Sequence, residues 1–158
     1  MSIDITDVTY IKNNGKWYYL ACYLDLFNNE IVDWELSDVF DHFLVMKPAK
    51  RLLEKAKSTG TPILLHSDQG IQYSSAGYSN LLKSYNAIQS MSRAGTPRDN
   101  AVMESFFGRF KDVMSSAKRL PKRFTASITF VLSENSIENC QSNLELNWQY
   151  NLFLFCVC

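Results

Sequence analysis

The segment Trp17-Tyr18-Tyr19-Leu20-Ala21-Cys22-Tyr23-Leu24 constrains the fold more than any other, because eight apolar or aromatic residues run together without a charge among them. A strand with no charged face has to be covered on both sides, so the sheet that contains it needs further layers. Turn chemistry brackets the run: Asn13-Asn14-Gly15 before it suits a tight hairpin, and Asn28-Asn29 after it turns the chain again. Ile3, Ile5, Val8, Tyr10 and Ile11 supply a strand on one side, and Ile31, Val32, Trp34 and Leu36 supply one on the other. The N-terminal quarter therefore reads as a three-stranded antiparallel meander. Trp17, Tyr18, Tyr19 and Trp34 are expected to pack in its core rather than to stack on bases.

The covering layers come next. From Pro48 to Ser58 the sequence is helix-prone, with Pro48 expected in a first turn and Gly60 placed to end the helix. Ile63-Leu64-Leu65-His66 is a short strand that runs straight into Ser67-Asp68-Gln69-Gly70. A short helix at about Ala76 to Ser84 leads to a strand at Ala87 to Met91, and Arg93 to Arg98 is a Gly- and Pro-containing loop. Asp99 or Asn100 can cap a helix that begins near Ala101, on which Val102, Met103, Phe106, Phe107, Phe110 and Met114 share one side. The fold class is α/β: a mixed central sheet of three antiparallel strands followed by alternating helices and short strands. At 158 residues and 46% hydrophobic, one compact domain with a real core is expected.

Charge and cysteine usage narrow the function classes less than the pattern does. Lys plus Arg and Asp plus Glu both number 16, so net charge neither recruits a polyanion nor repels one. Basic residues gather at Lys47, Lys50, Arg51, Lys55 and Lys57, and again from Arg109 to Arg123, where a solvated helix face is the plain reading and a phosphate-contacting surface the alternative. Cys22, Cys140, Cys156 and Cys158 form no C-x-x-C pair, which argues against a zinc site and for a reduced, cytoplasmic chain. No signal-like start and no run of about eighteen apolar residues is present, so no membrane association is expected.

Three carboxylates stand out by position. Asp7 lies inside the first strand, where aspartate is disfavoured and its burial costly unless it is paired. Asp68 follows a short apolar strand and precedes a near glycine, the place where open α/β sheets set ligand-binding groups. Glu104 shares a helix face with Gly108 and Lys111, opposite the apolar side. Three carboxylates brought together repel one another unless a hard divalent cation, magnesium or manganese, holds them ionised. Two such ions would suit in-line phosphoryl transfer. Asp25, beside Asn28-Asn29, is expected to shape a turn, and His66 to be a hydrogen-bonded structural histidine, with support of the site as its other reading. Asn100 is a capping candidate that also suits orientation of its loop or a DNA contact.

Thr6-Asp7-Val8-Thr9-Tyr10-Ile11, Tyr23-Leu24-Asp25-Leu26-Phe27, His66-Ser67-Asp68-Gln69-Gly70-Ile71-Gln72-Tyr73, Ser90-Met91-Ser92-Arg93 and Asp99-Asn100-Ala101-Val102-Met103-Glu104-Ser105-Phe106-Phe107 resemble, in order, the signatures of insertion-sequence transposases with a retroviral-integrase-type core, the DDE superfamily. Thirty-five residues separate Asp68 from Glu104, and Lys111 stands where the family places a basic residue. The resemblance implies a ribonuclease-H-like fold and metal-dependent DNA cleavage and strand transfer, that is, DNA integration and transposition. It implies Asp7, Asp68 and Glu104 as catalytic metal ligands, two Mg2+ or Mn2+ ions, and DNA contacts from Lys111, Arg109 and Asn100. Transposon ends and target DNA are the implied partners, with self-association.

The resemblance covers about Ser2 to Met114, giving an expected integrase core over residues 1–114 and a divergent segment over 115–158, frameshifted or poorly ordered. There Tyr150-Asn151 leads into Leu152 to Cys158 without a charge, an apolar end that invites aggregation or partner contact. Met1 lies six residues before Asp7, which leaves no room for the helix-turn-helix that relatives carry and makes sequence-specific DNA binding by this chain alone unexpected. Two alternatives stay open: a transposase remnant that keeps a nucleic-acid-binding fold without transposition, and a nuclease of RNA–DNA hybrids, which the sequence around Glu104 disfavours.

Overall fold

The computed structural model of the chain describes residues 1–13, 15–93 and 100–117, the last five for their backbone alone. The expected loop from Ala94 to Arg98, the Asp99 cap and the segment from residue 118 onward lie outside the described residues. The chain divides into two compact units, Met1–Met103 and Glu104–Cys158.

In the first unit β1 (Ser2–Asn13), β2 (Lys16–Asp25) and β3 (Glu30–Ser37) form the antiparallel meander. α1 (Phe43–Thr59) follows, then β4 (Ile63–Ser67), α2 (Ala76–Ser84) and β5 (Ile88–Met91). The five strands lie in the order β3-β2-β1-β4-β5, with β4 parallel to both β1 and β5. β1 is therefore central, flanked by one antiparallel and one parallel neighbour. β2 is buried without interruption from Leu20 to Leu24, as its lack of charge requires, and Tyr18 is buried too. Trp17 departs from the expectation: it is 51% exposed at the turn end of the hairpin, where the Lys12 ammonium lies 5.3 Å from its ring.

The core lies between one sheet face and the helices α1 and α2. Ala21, Tyr23, Ile63 and Leu65 of the sheet meet Leu44, Val45, Ala49, Leu52 and Leu53 of α1 and Tyr78 and Leu82 of α2. Burying an aromatic hydroxyl needs a partner, and each has one. The Tyr23 hydroxyl donates to the Val45 carbonyl at 2.8 Å and lies 3.1 Å from the Tyr78 hydroxyl; Thr6 Oγ1 and the Tyr73 hydroxyl are 3.0 Å apart.

Helix α1 begins five residues before the expected start, so Pro48 sits inside the helix rather than in its first turn. Asp41 Oδ1 accepts the Leu44 N–H at 3.2 Å and sets the earlier start, while Gly60, at φ +68°, ends the helix as expected. Arg51 of α1 grips β3: its guanidinium donates to Asp33, Glu35 and the Trp34 carbonyl. Lys47 pairs with Glu35 and Lys50 with Glu54, so three bases of the first cluster serve carboxylates on this protein, which fits a solvated helix face.

α3 (Ala101–Ala117) carries buried Met103, Phe106 and Phe107. Val102, expected on the same side, is 41% exposed, and the Met114 side chain lies outside the described residues.

Candidate active site

Asp7 and Asp68 reach one place from strands far apart in sequence. In the parallel β1–β4 pair Ser2 stands opposite Ile63 and Ile5 opposite His66, and the ladder ends there, two positions before Asp7 on one strand and Asp68 on the other. β4 ends at Ser67 while β1 runs on to Asn13, so Asp68 follows the carboxyl end of its strand, where backbone leaves the sheet and room for a ligand opens. Side chains alternate along β1. Thr6 faces the core and bonds Tyr73, which puts Asp7 on the opposite sheet face; Asp68 lies just past the last residue of β4.

Each carboxylate is half-buried and held by amides. Asp7 Oδ1 accepts the Val8 N–H at 2.7 Å, and Asp7 Oδ2 accepts the Asn100 side-chain amide at 3.0 Å. Asp68 Oδ1 accepts the Gly70 N–H at 2.8 Å, and a Cβ at position 70 would stand 2.9 Å from that oxygen. Glycine is thus what lets the turn close on the carboxylate. Burial first, then Tyr78, pushes the Tyr73 hydroxyl well above the usual tyrosine range; Asp7 and Asp68 push it further, so both carboxylates bear on the same phenol.

Asn100 is 6% exposed and sits just before α3. Its Oδ1 is buried without a hydrogen-bond partner, so it accepts no N–H of the helix and the capping expectation is corrected. Its amide goes instead to a carboxylate 93 residues away in sequence. A burial this complete also sets Asn100 apart from the exposed Arg109 and Lys111, the other residues for which DNA contact is expected.

His66 Nδ1 lies 2.9 Å from Ser90 Oγ and Nε2 3.2 Å from Ser92 Oγ, so both ring nitrogens fasten β4 to β5 and its adjoining residue. Asp25 shapes a turn, accepting the Phe27 N–H at 2.8 Å. Glu104 is exposed in the first turn of α3, where the helix dipole favours a carboxylate, and belongs to the second unit. Gly108, Arg109 and Lys111 are exposed on the same helix, with open space around Gly108. Among the described residues no three His, Cys, Asp or Glu side chains form a group that could hold a metal ion. The structure sets Asp7 within β1 and Asp68 just past the end of the neighbouring β4, both near enough to bear on the Tyr73 hydroxyl; Glu104 belongs to the second unit.

Two carboxylates at the carboxyl edge of a central strand pair, in this strand order, invite comparison with known proteins. Residues 1–97 match the family described as integrase core domain. This chain belongs to that family. Among its relatives is a protein of Escherichia coli (strain K12) named as transposase InsK for insertion sequence element IS150, 44% identical over 110 residues. Another is the transposase for insertion sequence element IS904 of Lactococcus lactis subsp. lactis, 38% identical over 105 residues. The matches cover 68% and 66% of this integrase core chain but only 38% and 41% of those relatives, so it spans less than half their length. Its fold is that of the retroviral integrase catalytic cores, the ribonuclease-H-like fold. A chain of the simian T-cell lymphotropic virus intasome in complex with PP2A regulatory subunit B56 gamma superposes with a TM-score of 0.62 at 19% identity, covering 80% of this chain and 45% of that one. The HTLV-2 integrase catalytic core domain in complex with magnesium superposes with a TM-score of 0.53 at 19% identity, covering 75% of each chain.

Proposed function

We propose that this integrase core performs metal-dependent DNA strand cleavage and strand transfer, with Asp7, Asp68 and Glu104 as its metal ligands. The observation that carries the reading is the placement of Asp7 in β1 and of Asp68 just past the end of the neighbouring β4, each held by an amide donor. Amide donors fix how each carboxylate is turned and leave its other lone pairs to a ligand. The donor set is all oxygen, which suits magnesium or manganese rather than a soft metal, and the orphaned Asn100 Oδ1 beside Asp7 is a buried acceptor suited to a water of hydration. When bound, a pair of such ions would activate a water or a 3′ hydroxyl and offset charge on the phosphate.

The remaining work falls to the chain. Asp7 and Asp68 fix where the attacked phosphate must come, because a ligand reaching both has to lie past the end of β4. Glu104, four residues after Asn100 in sequence, completes the set in this reading. Arg109 and Lys111, exposed on α3, contact the DNA backbone, which positions the strand without reading its sequence. The names of the relatives support transposon ends and target DNA as substrates, and the intasome likeness supports self-association. No described helix is long and apolar enough to cross a membrane, and the reading places the protein in the cytoplasm, beside its DNA.

The test is strand transfer by the full chain on a pre-cut element end with Mg2+ or Mn2+. Product is expected with wild type and none with Glu104→Gln, whose melting curve should match wild type. Retained activity in that variant would remove Glu104 from the mechanism, and no product from folded, metal-bound wild type would leave a catalytically silent core.

A further inference from the structure

We infer that Asn100 is a positioning residue for the metal site: its amide locks the Asp7 carboxylate, and its side-chain oxygen is kept as an acceptor for water on a divalent cation held there. The inference rests on the metal reading above and goes further, because it assigns work to a residue that the acidic triad leaves out.

Three observations converge. Asn100 is buried, yet its amide spans 93 residues of sequence to reach Asp7 Oδ2 at 3.0 Å. The direction of the amide is set by chemistry: turned over, its oxygen would face a carboxylate oxygen, acceptor against acceptor. With the nitrogen committed to Asp7, Oδ1 is left buried with no hydrogen-bond partner. Native folds pair their buried polar atoms, so an orphan beside a half-buried carboxylate calls for a donor that arrives with a ligand. Water on a cation is such a donor; carboxylates and phosphates are not. The amide bond also fixes one Asp7 oxygen while Val8 N–H holds the other, so the plane of the carboxylate is set from both sides. Hydrogen-bond partners of metal ligands act in this way, and their loss costs about 10- to 100-fold in metal affinity.

A purely structural asparagine would lower stability when removed and leave metal binding alone. The positioning role reverses that pattern, since removing an orphaned acceptor relieves the fold while freeing Asp7 harms the site. The experiment is calorimetric titration of Mn2+ into the full chain, wild type against Asn100→Ala and Asn100→Leu, with metal-free melting curves alongside. Mn2+ affinity is expected to fall about 10- to 100-fold in both variants, while Asn100→Leu, close to asparagine in size, melts no lower than wild type. A metal-free reading accompanies it: the Asn100 side-chain amide protons should exchange slowly with solvent and lose that protection in Asp7→Ala. Wild type that binds Mn2+ with both variants binding equally well would overturn the inference alone. Wild type that binds no Mn2+ would overturn the metal reading and this inference with it, even if amide protection persisted.

Discussion

Single atoms decide how well Asp68 is aimed. Its Oδ1 accepts the Gly70 N–H, and the space that an alanine Cβ would need at position 70 lies 2.9 Å from that same oxygen. The displaced atom would be the end of a side chain, so the fold yields cheaply while the carboxylate turns. Gly70→Ala is therefore expected to lose no more than about 1 kcal/mol, a shift of roughly 2–4 °C in Tm for a chain this long, yet to weaken Mn2+ binding at least about tenfold. Equal Mn2+ affinity in calorimetry would show that Asp68 need not keep its present rotamer. At this scale the sequence is informative where a residue breaks a local rule, as an aspartate inside a strand or just after one does. It misleads where a partner is remote: next to a helix start Asn100 reads as a cap, and nothing local announces a carboxylate 93 residues earlier. An asparagine oxygen left unpaired in the interior costs about 1–3 kcal/mol, a sum that only coordinates reveal.

Elements respond to pH and charge through groups that the strand pattern hides. Asp4 of β1 is buried on the core face, opposite Asp25 of β2 and bonded by the Ser2 hydroxyl at 3.1 Å. Burial pushes its carboxyl up to about 6, the Ser2 bond opposes the shift and Asp25 adds to it. The folded chain thus holds this proton more tightly than the unfolded chain does. Stability contributed by Asp4 is present at low pH and is lost as pH rises from the ordinary carboxylate range to about 6, then stays level. The substitution Asp4→Asn, which replaces the titrating acid by a neutral amide of the same shape, is expected to raise Tm above pH of about 6 and to match wild type near about 4; parallel melting curves at every pH would contradict this. The strands themselves are legible because lack of charge, turn residues and alternation agree. α1 is less so: Pro48 draws its expected start too far along, and the earlier turns are held by the Asp41 bond to the Leu44 N–H and by the Lys47–Glu35 pair, which reaches β3 and depends on tertiary placement.

On the scale of the whole molecule, the sheet order makes the site. Placing β4 beside β1, rather than next to β3 which precedes it in the chain, is what carries Asp68 to Asp7, and no local pattern encodes that crossover. Motif order does encode it indirectly, through resemblance to a family whose fold requires it. Glu104 lies on α3 with thirty-five residues between it and the second carboxylate, and the metal reading gives it a part in the site. The most direct test is anomalous diffraction from crystals of the full chain soaked in Mn2+. One or two Mn2+ peaks touching the carboxylates of Asp7, Asp68 and Glu104 are expected. Peaks that leave any one of the three carboxylates uncoordinated, or that lie elsewhere on the molecule, would contradict the shared metal site.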